Sequence, residues 1–326
     1  MVGISMNFGK KFMRLFLRGA FLLSLTLSMP ALAGIAVVSN EGSGSVTLID
    51  TVTDKVITEI ATGGKPRGIA VSQQRRMAYV SDQKNSALLV VDLESRTVRK
   101  SIPLGESPEG VYLSPDGRLA AAAIEANNSL VFVDTEKETV AFKLKVAGKN
   151  PEHGVFSPDG KWLYVGAEDG DTVDAIDVEK RSAVAQIKVG LRPRGITFTP
   201  DSTKAYIACE NSNFVTIIDV TKHLAVGTIA VGVRPAGVLV NPAGTRLYVS
   251  TGGDSHVTAV DTASDAIVAR VEVGKRPWNM AIAKDGRKLY VANGRSNTVS
   301  VIDAIRNIRL LDVPVGELPW GVAILE

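Results

Sequence analysis

The sequence predicts an all-β protein, a seven-bladed β-propeller with four strands in each blade. Its main feature is a Gly-x-x-Pro-x-Gly turn, seen in full at residues 190–195, whose proline recurs every 42 residues with a single step of 43. A fixed period between about 20 and 50 residues is typical of solenoids, propellers and arrays. Each period holds short strand-like runs and no helical pattern, which favours the propeller. The turn prolines are Pro66, Pro108, Pro151, Pro193, Pro235, Pro277 and Pro319.

One period, from Gly195 to Pro235, shows the strands of a single blade. Hairpin-sized turns such as Pro200-Asp201-Ser202 separate four runs of apolar or alternating residues. We therefore expect four strands, A to D, in each period. The four runs are Ile196–Thr199, Ala205–Ala208, Phe214–Asp219 and Leu224–Val231.

The number of periods predicts how the ring closes. Residues 34–326 span 293 positions, about seven periods of 42. This region begins with a second strand, Ile35–Ser39, and ends with a first strand, Gly321–Leu325. Blade 1 is therefore predicted to take its innermost strand from the C-terminus, which removes two exposed sheet edges. The extra residue of the 43-residue step is predicted to form a bulge near Val146 and Ala147.

Residues 1–33 are predicted to be a cleaved signal peptide in front of one domain, residues 34–326. A basic segment ends at Arg18, an apolar run covers residues 20–29, and Ala31-Leu32-Ala33 matches an A-x-A cleavage site. An uncleaved membrane anchor is the alternative, but the apolar run is short and a blade strand follows directly. We expect export to the periplasm without a stable membrane anchor.

Charge and cysteine content narrow the possible functions. Four of the 37 Lys and Arg residues lie in the first 33 positions, which hold no acid, so 33 bases remain against 34 Asp and Glu. This near-neutral domain has no electrostatic footprint for nucleic acid. Cys209 is the only cysteine and is expected to be a small buried hydrophobe, since no motif places a base beside it. A monomer is expected.

The repeat motifs resemble the YVTN-type β-propeller family. The segments Tyr206–Ala208, Leu247–Ser250, Leu289–Asn293 and Ser296–Asp303 carry this resemblance, which covers essentially all of residues 34–326. Blade 3 departs from the motif, with Ala120–Ala123 where the aromatic strand belongs. The resemblance implies the propeller fold and says little about function.

Two turns are similar to a narrower group, the propellers associated with PQQ-dependent alcohol catabolism. Pro277-Trp278 and Pro319-Trp320-Gly321-Val322 carry this similarity. It implies a non-catalytic periplasmic ligand- or protein-binding propeller, accessory to PQQ-dependent alcohol oxidation or its associated transport. The implied protein partner is a quinoprotein dehydrogenase or an ABC transporter component.

The residues that follow the turn prolines are predicted to form a ring at one mouth of the central channel, beside the B–C loops. The ring combines indoles with charges, which suits a small anionic or aromatic ligand. Lys65, Arg192, Arg234 and Arg276 add positive potential that favours an anion. Alternatively, the basic side chains are solvated and the two indoles pack the closure seam. The ring residues, from blade 1 to blade 7, are Trp320, Arg67, Glu109, Glu152, Arg194, Ala236 and Trp278.

His153 is a further candidate ligand-binding residue at this mouth. It occupies a position that is Gly in five other blades and Asn279 in the last. Because His and Asn are enriched at positive φ, we interpret this position as one that needs a left-handed backbone, with a catalytic histidine as the alternative. His223 lies in a C–D hairpin and is expected to be solvated.

The carboxylates of the B–C loops allow a competing function. Glu41, Glu125, Glu168 and Glu210 take equivalent positions and could bind Ca²⁺ in the channel, although paired rim charges are the more ordinary arrangement. A metal-assisted hydrolase or lyase would use the last three with His153. No metal, haem, phosphate-loop or nucleophile motif is complete, so we assign no cofactor and no catalytic residue.

The signal-peptide prediction has a direct measurement. Mass spectrometry of the protein from a periplasmic fraction should give Gly34 as its first residue, whether Met1 or Met6 starts translation. An intact N-terminus in the membrane fraction would contradict cleavage.

Overall fold

A computed structural model of the chain describes residues 1–4 and 34–326. The predicted signal peptide therefore lies almost wholly outside the described residues, and its cleavage stays a prediction. The unit formed by residues 32–326 contains seven four-stranded antiparallel sheets arranged as a seven-bladed β-propeller, which confirms the predicted fold class. No helix in the described ranges is long and apolar enough to cross a membrane.

The strands follow the predicted order in every blade. In chain order they are β1 (Ile35–Asn40), β2 (Ser45–Asp50), β3 (Lys55–Ala61), β4 (Pro66–Ser72), β5 (Met77–Asp82), β6 (Ala87–Asp92), β7 (Thr97–Pro103), β8 (Pro108–Leu113), β9 (Leu119–Ile124), β10 (Ser129–Asp134), β11 (Thr139–Lys145), β12 (Pro151–Phe156), β13 (Trp162–Ala167) and β14 (Thr172–Asp177). They continue with β15 (Ser182–Lys188), β16 (Pro193–Phe198), β17 (Lys204–Cys209), β18 (Phe214–Asp219), β19 (Leu224–Ala230), β20 (Pro235–Val240), β21 (Arg246–Thr251), β22 (His256–Asp261), β23 (Ile267–Glu272), β24 (Pro277–Ile282), β25 (Lys288–Asn293), β26 (Thr298–Asp303), β27 (Ile308–Pro314) and β28 (Pro319–Leu325). Two short 3₁₀ turns occupy Glu125–Asn127 and Glu210–Ser212.

An aspartate ends the third strand of each blade and shapes the following hairpin. In blade 1, Asp50 Oδ1 accepts hydrogen bonds from the backbone N–H groups of Val52 (2.9 Å) and Thr53 (2.7 Å). These bonds lower the pKa of Asp50 from its ordinary value. Such Asx-turns satisfy backbone donors that the ladder leaves free. The same bonding recurs at Asp92, Asp134, Asp177, Asp219, Asp261 and Asp303.

The hydrophobic core is divided among the seven contacts between neighbouring blades. Each cluster combines buried side chains from two adjacent sheets, as where Tyr79 and Leu88 meet Ala122 and Val131. Tyrosines of the second strands also reach the next blade, and Tyr248 Oη donates to the Ala304 carbonyl at 2.9 Å. No blade therefore buries its faces without its neighbours, which is typical of repeat folds.

His223 differs from the sequence expectation. It is partly buried rather than solvated, and its Nδ1 lies 2.7 Å from Tyr164 Oη of the preceding blade. Its ring also meets Trp162 edge-on, at 4.5 Å between centroids. Burial lowers the pKa of His223. The hairpin that carries it contacts a neighbouring sheet, which the sequence of one blade does not reveal.

The two ends of the chain close the ring as predicted. Strand β28 pairs antiparallel with β1, from Ile35 opposite Leu325 to Ser39 opposite Gly321. The extra residue of the 43-residue step lies where expected but not as a bulge. Strand β11 ends at Lys145, and the additional residue lengthens the turn that leads to Pro151. A turn takes up one residue without disturbing a ladder, which explains the difference.

Closure predicts a large loss of stability when residues 319–326 are deleted. Val322 and Leu325 are 7% and 1% exposed, and burying each such side chain is worth about 1.5–3 kcal/mol. Because native stability is only about 5–15 kcal/mol, we expect the truncated protein to unfold or aggregate in a thermal melt. Removal of the exposed Glu326 alone is the control. Equal melting temperatures for the deletion and the control would contradict this closure.

Candidate functional site

One backbone hydrogen bond, repeated in all seven blades, builds the channel mouth. The first N–H of each B–C loop donates to the carbonyl of the residue before the turn proline, as from Glu210 to Arg192 at 3.0 Å. The B–C loops and the D–A turns therefore share one face, as predicted. The other six bonds join Glu41 to Leu318, Gln83 to Lys65, Glu125 to Ser107, Glu168 to Asn150, Gly252 to Arg234 and Gly294 to Arg276.

The left-handed backbone lies one position before the turn proline, not at the glycine that follows it. Arg192, Arg234 and Arg276 have φ of 56°, 54° and 54°, whereas His153 and Asn279 are not among the positive-φ residues. The backbone interpretation of His153 is therefore wrong. The glycine position is set by crowding, because a Cβ on Gly195 would lie 2.6 Å from the Ala236 carbonyl of the next inner strand.

His153 instead joins three inner strands by side-chain contacts. Its Nδ1 lies 2.7 Å from Tyr112 Oη, and its ring stacks on Trp320 with 5.5 Å between centroids and 10° between planes. It is 2% exposed, and this burial lowers its pKa to about 3. His153 is therefore neutral at ordinary pH and bridges blade 4 to blades 3 and 1.

Arg194 is the centre of the mouth and contacts three buried carboxylates. Its Nη2 lies 2.8 Å from Glu152 Oε1, its Nη1 pairs with Glu168, and its Nε lies 3.7 Å from Glu210 Oε2. All four residues are at most 5% exposed. Burial opposes the charge on Arg194, but the three carboxylates outweigh it and raise its pKa. A permanent guanidinium thus occupies the point on which these acids converge.

Glu210 also receives three arginines from the turns of blades 5, 6 and 7. Arg234 Nη2 and Arg276 Nη2 each lie 2.7 Å from Oε1, and Arg192 Nε lies 3.2 Å from Oε2. Although burial alone would raise the pKa of Glu210, Arg194, Arg276 and Arg234 hold it below its ordinary value. We call Arg192, Arg234 and Arg276 the arginine cluster. Three cations converge on Glu210 there, and Arg192 alone of the three has a second carboxylate partner, Glu168, so positive charge exceeds negative charge around the arginine cluster.

The opposite side of the mouth is organised around Arg67 and Glu109. Arg67 lies 2.6 Å from the fully buried Glu109 and 3.6 Å from Glu41. The Gln83 amide also donates to Glu109. Burial raises the pKa of Glu109 to about 7, against the lowering effect of Arg67. The charge of Glu125 also raises the pKa of Glu109, and Glu125 accepts a hydrogen bond from Ser107 Oγ at 2.8 Å.

Both indoles pack against other side chains of the channel mouth. Trp320 is 3% exposed, between the His153 ring and the Arg67 guanidinium, 5.2 Å from its centroid. Trp278 is half-buried, with the guanidiniums of Arg276 and Arg194 at 4.2 and 5.0 Å. Cation–π contacts of this kind hold arginines in place. The placement favours the packing interpretation of both indoles over direct contact with an aromatic ligand.

The structure thus brings the seven predicted mouth residues onto one face and adds others. Lys65 and the arginine cluster had been assigned only a general positive potential, and the convergence of the cluster on Glu210 was missed. Tyr112 and Gln83 were also missed. Beneath the mouth, the inner strands of all seven blades line a cavity of about 240 Å³, whose wall includes Tyr112 and Trp320.

The proposed metal ligands make contacts that do not favour a cation. Among the described residues, no group of three or more His, Cys, Asp or Glu side chains is arranged to hold a metal ion. Glu168 and Glu210 face arginines, and His153 is held by Tyr112. Cys209 is fully buried and burial raises its pKa, as expected of a structural thiol.

The described residues form a seven-bladed β-propeller with a charged channel mouth. The profile of the YNCE-like beta-propeller family matches residues 119–307, more than half of the chain, and the protein belongs to this family. The search of curated proteins gave no match.

Solved structures confirm the architecture. Hydrazine synthase from Kuenenia stuttgartiensis is 27% identical, with a TM-score of 0.76 over 82% of this chain and 91% of that one. A protein of unknown function from Desulfotomaculum acetoxidans is 18% identical, with a TM-score of 0.79 over 90% and 99%. A proposed 6-phosphogluconolactonase from Bacteroides uniformis is also 18% identical, with a TM-score of 0.75 over 90% and 100%. The last two likenesses show the fold alone.

The Arg194 contacts predict a strong effect of Arg194→Met on stability. Removing one partner of a buried ionic group leaves unpaired charges, which costs about 3–5 kcal/mol. Urea unfolding should report a loss of that size near pH 9, and a smaller loss near pH 6, where Glu168 is protonated because its pKa is raised to about 8. Arg118→Met, at an 84% exposed side chain, is the control and should change stability by under about 0.5 kcal/mol. A similar small change for Arg194→Met would contradict a structural role.

Proposed function

We propose that this protein is a non-catalytic binding propeller whose channel mouth takes an anionic group, a carboxylate, sulfate or phosphate, from a small ligand or from an acidic segment of a protein partner. The convergence of the arginine cluster on Glu210 carries the proposal. Side-chain exposures of 41% for Arg192 and 50% for Arg234 leave both side chains partly accessible to solvent. Each guanidinium has five N–H donors, more than Glu210 can accept, so donors remain for an incoming anion.

The mouth is also shaped for binding rather than for chemistry. Of the groups that a hydrolase or lyase would use, Glu168 and Glu210 are paired with arginines, His153 with Tyr112 and Glu125 with Ser107. No single group among the mouth residues stands free beside an open space as a nucleophile or base would. Calcium in the channel, and a metal-assisted reaction, remain the alternative, and elemental analysis of purified protein tests both.

The proposal also covers the compartment in which the protein works and the partner that it binds. An exported protein with the similarities described above would work in the periplasm, beside PQQ-dependent alcohol oxidation or its associated transport. Its partner would then be a quinoprotein dehydrogenase or an ABC transporter component with an acidic surface that meets the arginine cluster. Complementary charge of this kind favours association and register.

The test compares wild type with the double variant Arg192→Gln, Arg234→Gln. Calorimetric titration with sulfate should show saturable binding by wild type and at least tenfold weaker binding by the variant, since charge-assisted hydrogen bonds contribute about 1.5–3 kcal/mol each. Arg118→Gln, on an A–B turn away from the mouth, should bind like wild type.

A pull-down from periplasmic extract forms the second arm of the test. Wild type should recover a dehydrogenase or transporter component, and the double variant should not. Recovery of neither, together with no saturable sulfate binding, would overturn the proposal. Sulfate binding without a recovered protein would indicate a small anionic ligand.

A further inference from the structure

Arg192 connects the arginine cluster to a second carboxyl group. Its Nε lies 3.2 Å from Glu210 Oε2, and its Nη2 lies 3.1 Å from Glu168 Oε2. The side chain is 41% exposed, whereas Glu168 is only 5% exposed. The charge state of Glu168 therefore decides how much of the Arg192 charge is already neutralised before any anion arrives.

Resting on the proposed function, we propose that anion binding at the arginine cluster is coupled to the uptake of one proton by Glu168. Ionised Glu168 occupies Arg192 and Arg194 and repels a second anion nearby. Protonated Glu168 no longer neutralises Arg192, so the partly exposed Arg192 guanidinium can attract the incoming anion more strongly. The proton comes from solvent and adds to one carboxylate oxygen, and no other covalent bond forms or breaks.

The groups around Glu168 favour its protonated form. Burial is the main cause that raises its pKa to about 8, and a hydrogen bond and charge repulsion from Glu152 add to it, against Arg194 and Arg192. The amide of Asn150 completes the surroundings, 3.4 Å from Glu168 Oε2. The neighbouring His153, whose pKa burial lowers to about 3, stays neutral throughout the relevant range.

Because Glu168 titrates near neutral pH and His153 does not, the protonation of Glu168 determines how anion affinity changes with pH. As the pH falls through about 8, Glu168 gains a proton and the mouth gains one net positive charge. An anion prefers the protonated mouth, so its affinity rises as the pH falls, and binding in turn draws a proton from solvent. The effect should be largest between about pH 9 and pH 7.

Glu109 is the one other mouth carboxyl whose pKa is raised toward neutrality. Its pKa is about 7, about a unit below that of Glu168. The groups that face it are Arg67, Gln83, Glu125 and, more weakly, Arg194. None of these belongs to the arginine cluster, so Glu109→Gln serves as the matched control.

Calorimetric titration with sulfate tests the coupling, because sulfate itself does not titrate in this range. For wild type at fixed ionic strength, the association constant should rise on the order of tenfold from pH 9 to pH 7. Near pH 8, titrations in two buffers of different ionisation enthalpy should report net proton uptake on binding. This second measurement needs no variant.

Glu168→Gln imitates the protonated carboxyl and should bind sulfate at pH 9 as tightly as wild type does at pH 7, without proton uptake. Glu109→Gln should keep the pH dependence. Circular dichroism and thermal melting verify that both variants fold. Binding by wild type with no pH dependence and no proton uptake, or a Glu168→Gln variant that retains both, would overturn the coupling alone. Absence of sulfate binding even at pH 7 would instead overturn the proposed function as well.

Discussion

The close approach of the seven inner strands around the channel is the constraint on which the mouth depends. A Cβ on Gly110 would lie 2.7 Å from the Glu152 carbonyl, and one on Gly195 would lie 2.6 Å from the Ala236 carbonyl. Neighbouring strands therefore meet backbone to backbone just below the turns. The long side chains of Arg67, Glu109, Glu152 and Arg194 stand at the position before this glycine or its His153 counterpart, where they meet at the channel mouth. The ring of charges is a direct consequence of this crowding.

Acidic and basic side chains are distributed unevenly around the channel mouth. Buried ion pairs gain little net stability, because the loss of hydration offsets most of their attraction. On the side of blades 5 to 7, several arginines stabilise the ionised form of Glu210 and offset the loss of its hydration, so its pKa lies below its ordinary value. On the side of blades 2 to 4, burial instead favours the protonated, uncharged forms of Glu109 and Glu168, as their raised pKa values indicate. One face of the protein thus has a strongly cationic side and a side whose charge responds to pH.

Local and periodic features of the sequence predicted the fold, whereas contacts between distant repeats decided the site. The seven four-stranded blades and the pairing of the two termini follow from one repeat and simple counting, and both were confirmed. His153 was misinterpreted because crowding and positive φ both select glycine, and a sequence does not distinguish them. The convergence of the arginine cluster joins three repeats, each of which alone shows only a basic turn. This convergence depends on how the curved ring brings the three turns together, which the sequence of one repeat does not show.

The residues that build the blades differ from those that line the channel mouth, which explains why the fold alone does not define function. Solved structures only 18% identical to this chain match nine-tenths of it, although one is described as a 6-phosphogluconolactonase and another has no known function. Within this chain, the features that recur from blade to blade are the turn prolines, most of the turn glycines and the apolar strand positions. The residues on either side of each turn proline face the channel mouth and differ in type from blade to blade, so the repeat does not fix their chemistry. The arginines of blades 5 to 7 occupy the positions before the turn prolines. Their convergence on Glu210 distinguishes this side of the channel mouth from the turns of the other blades.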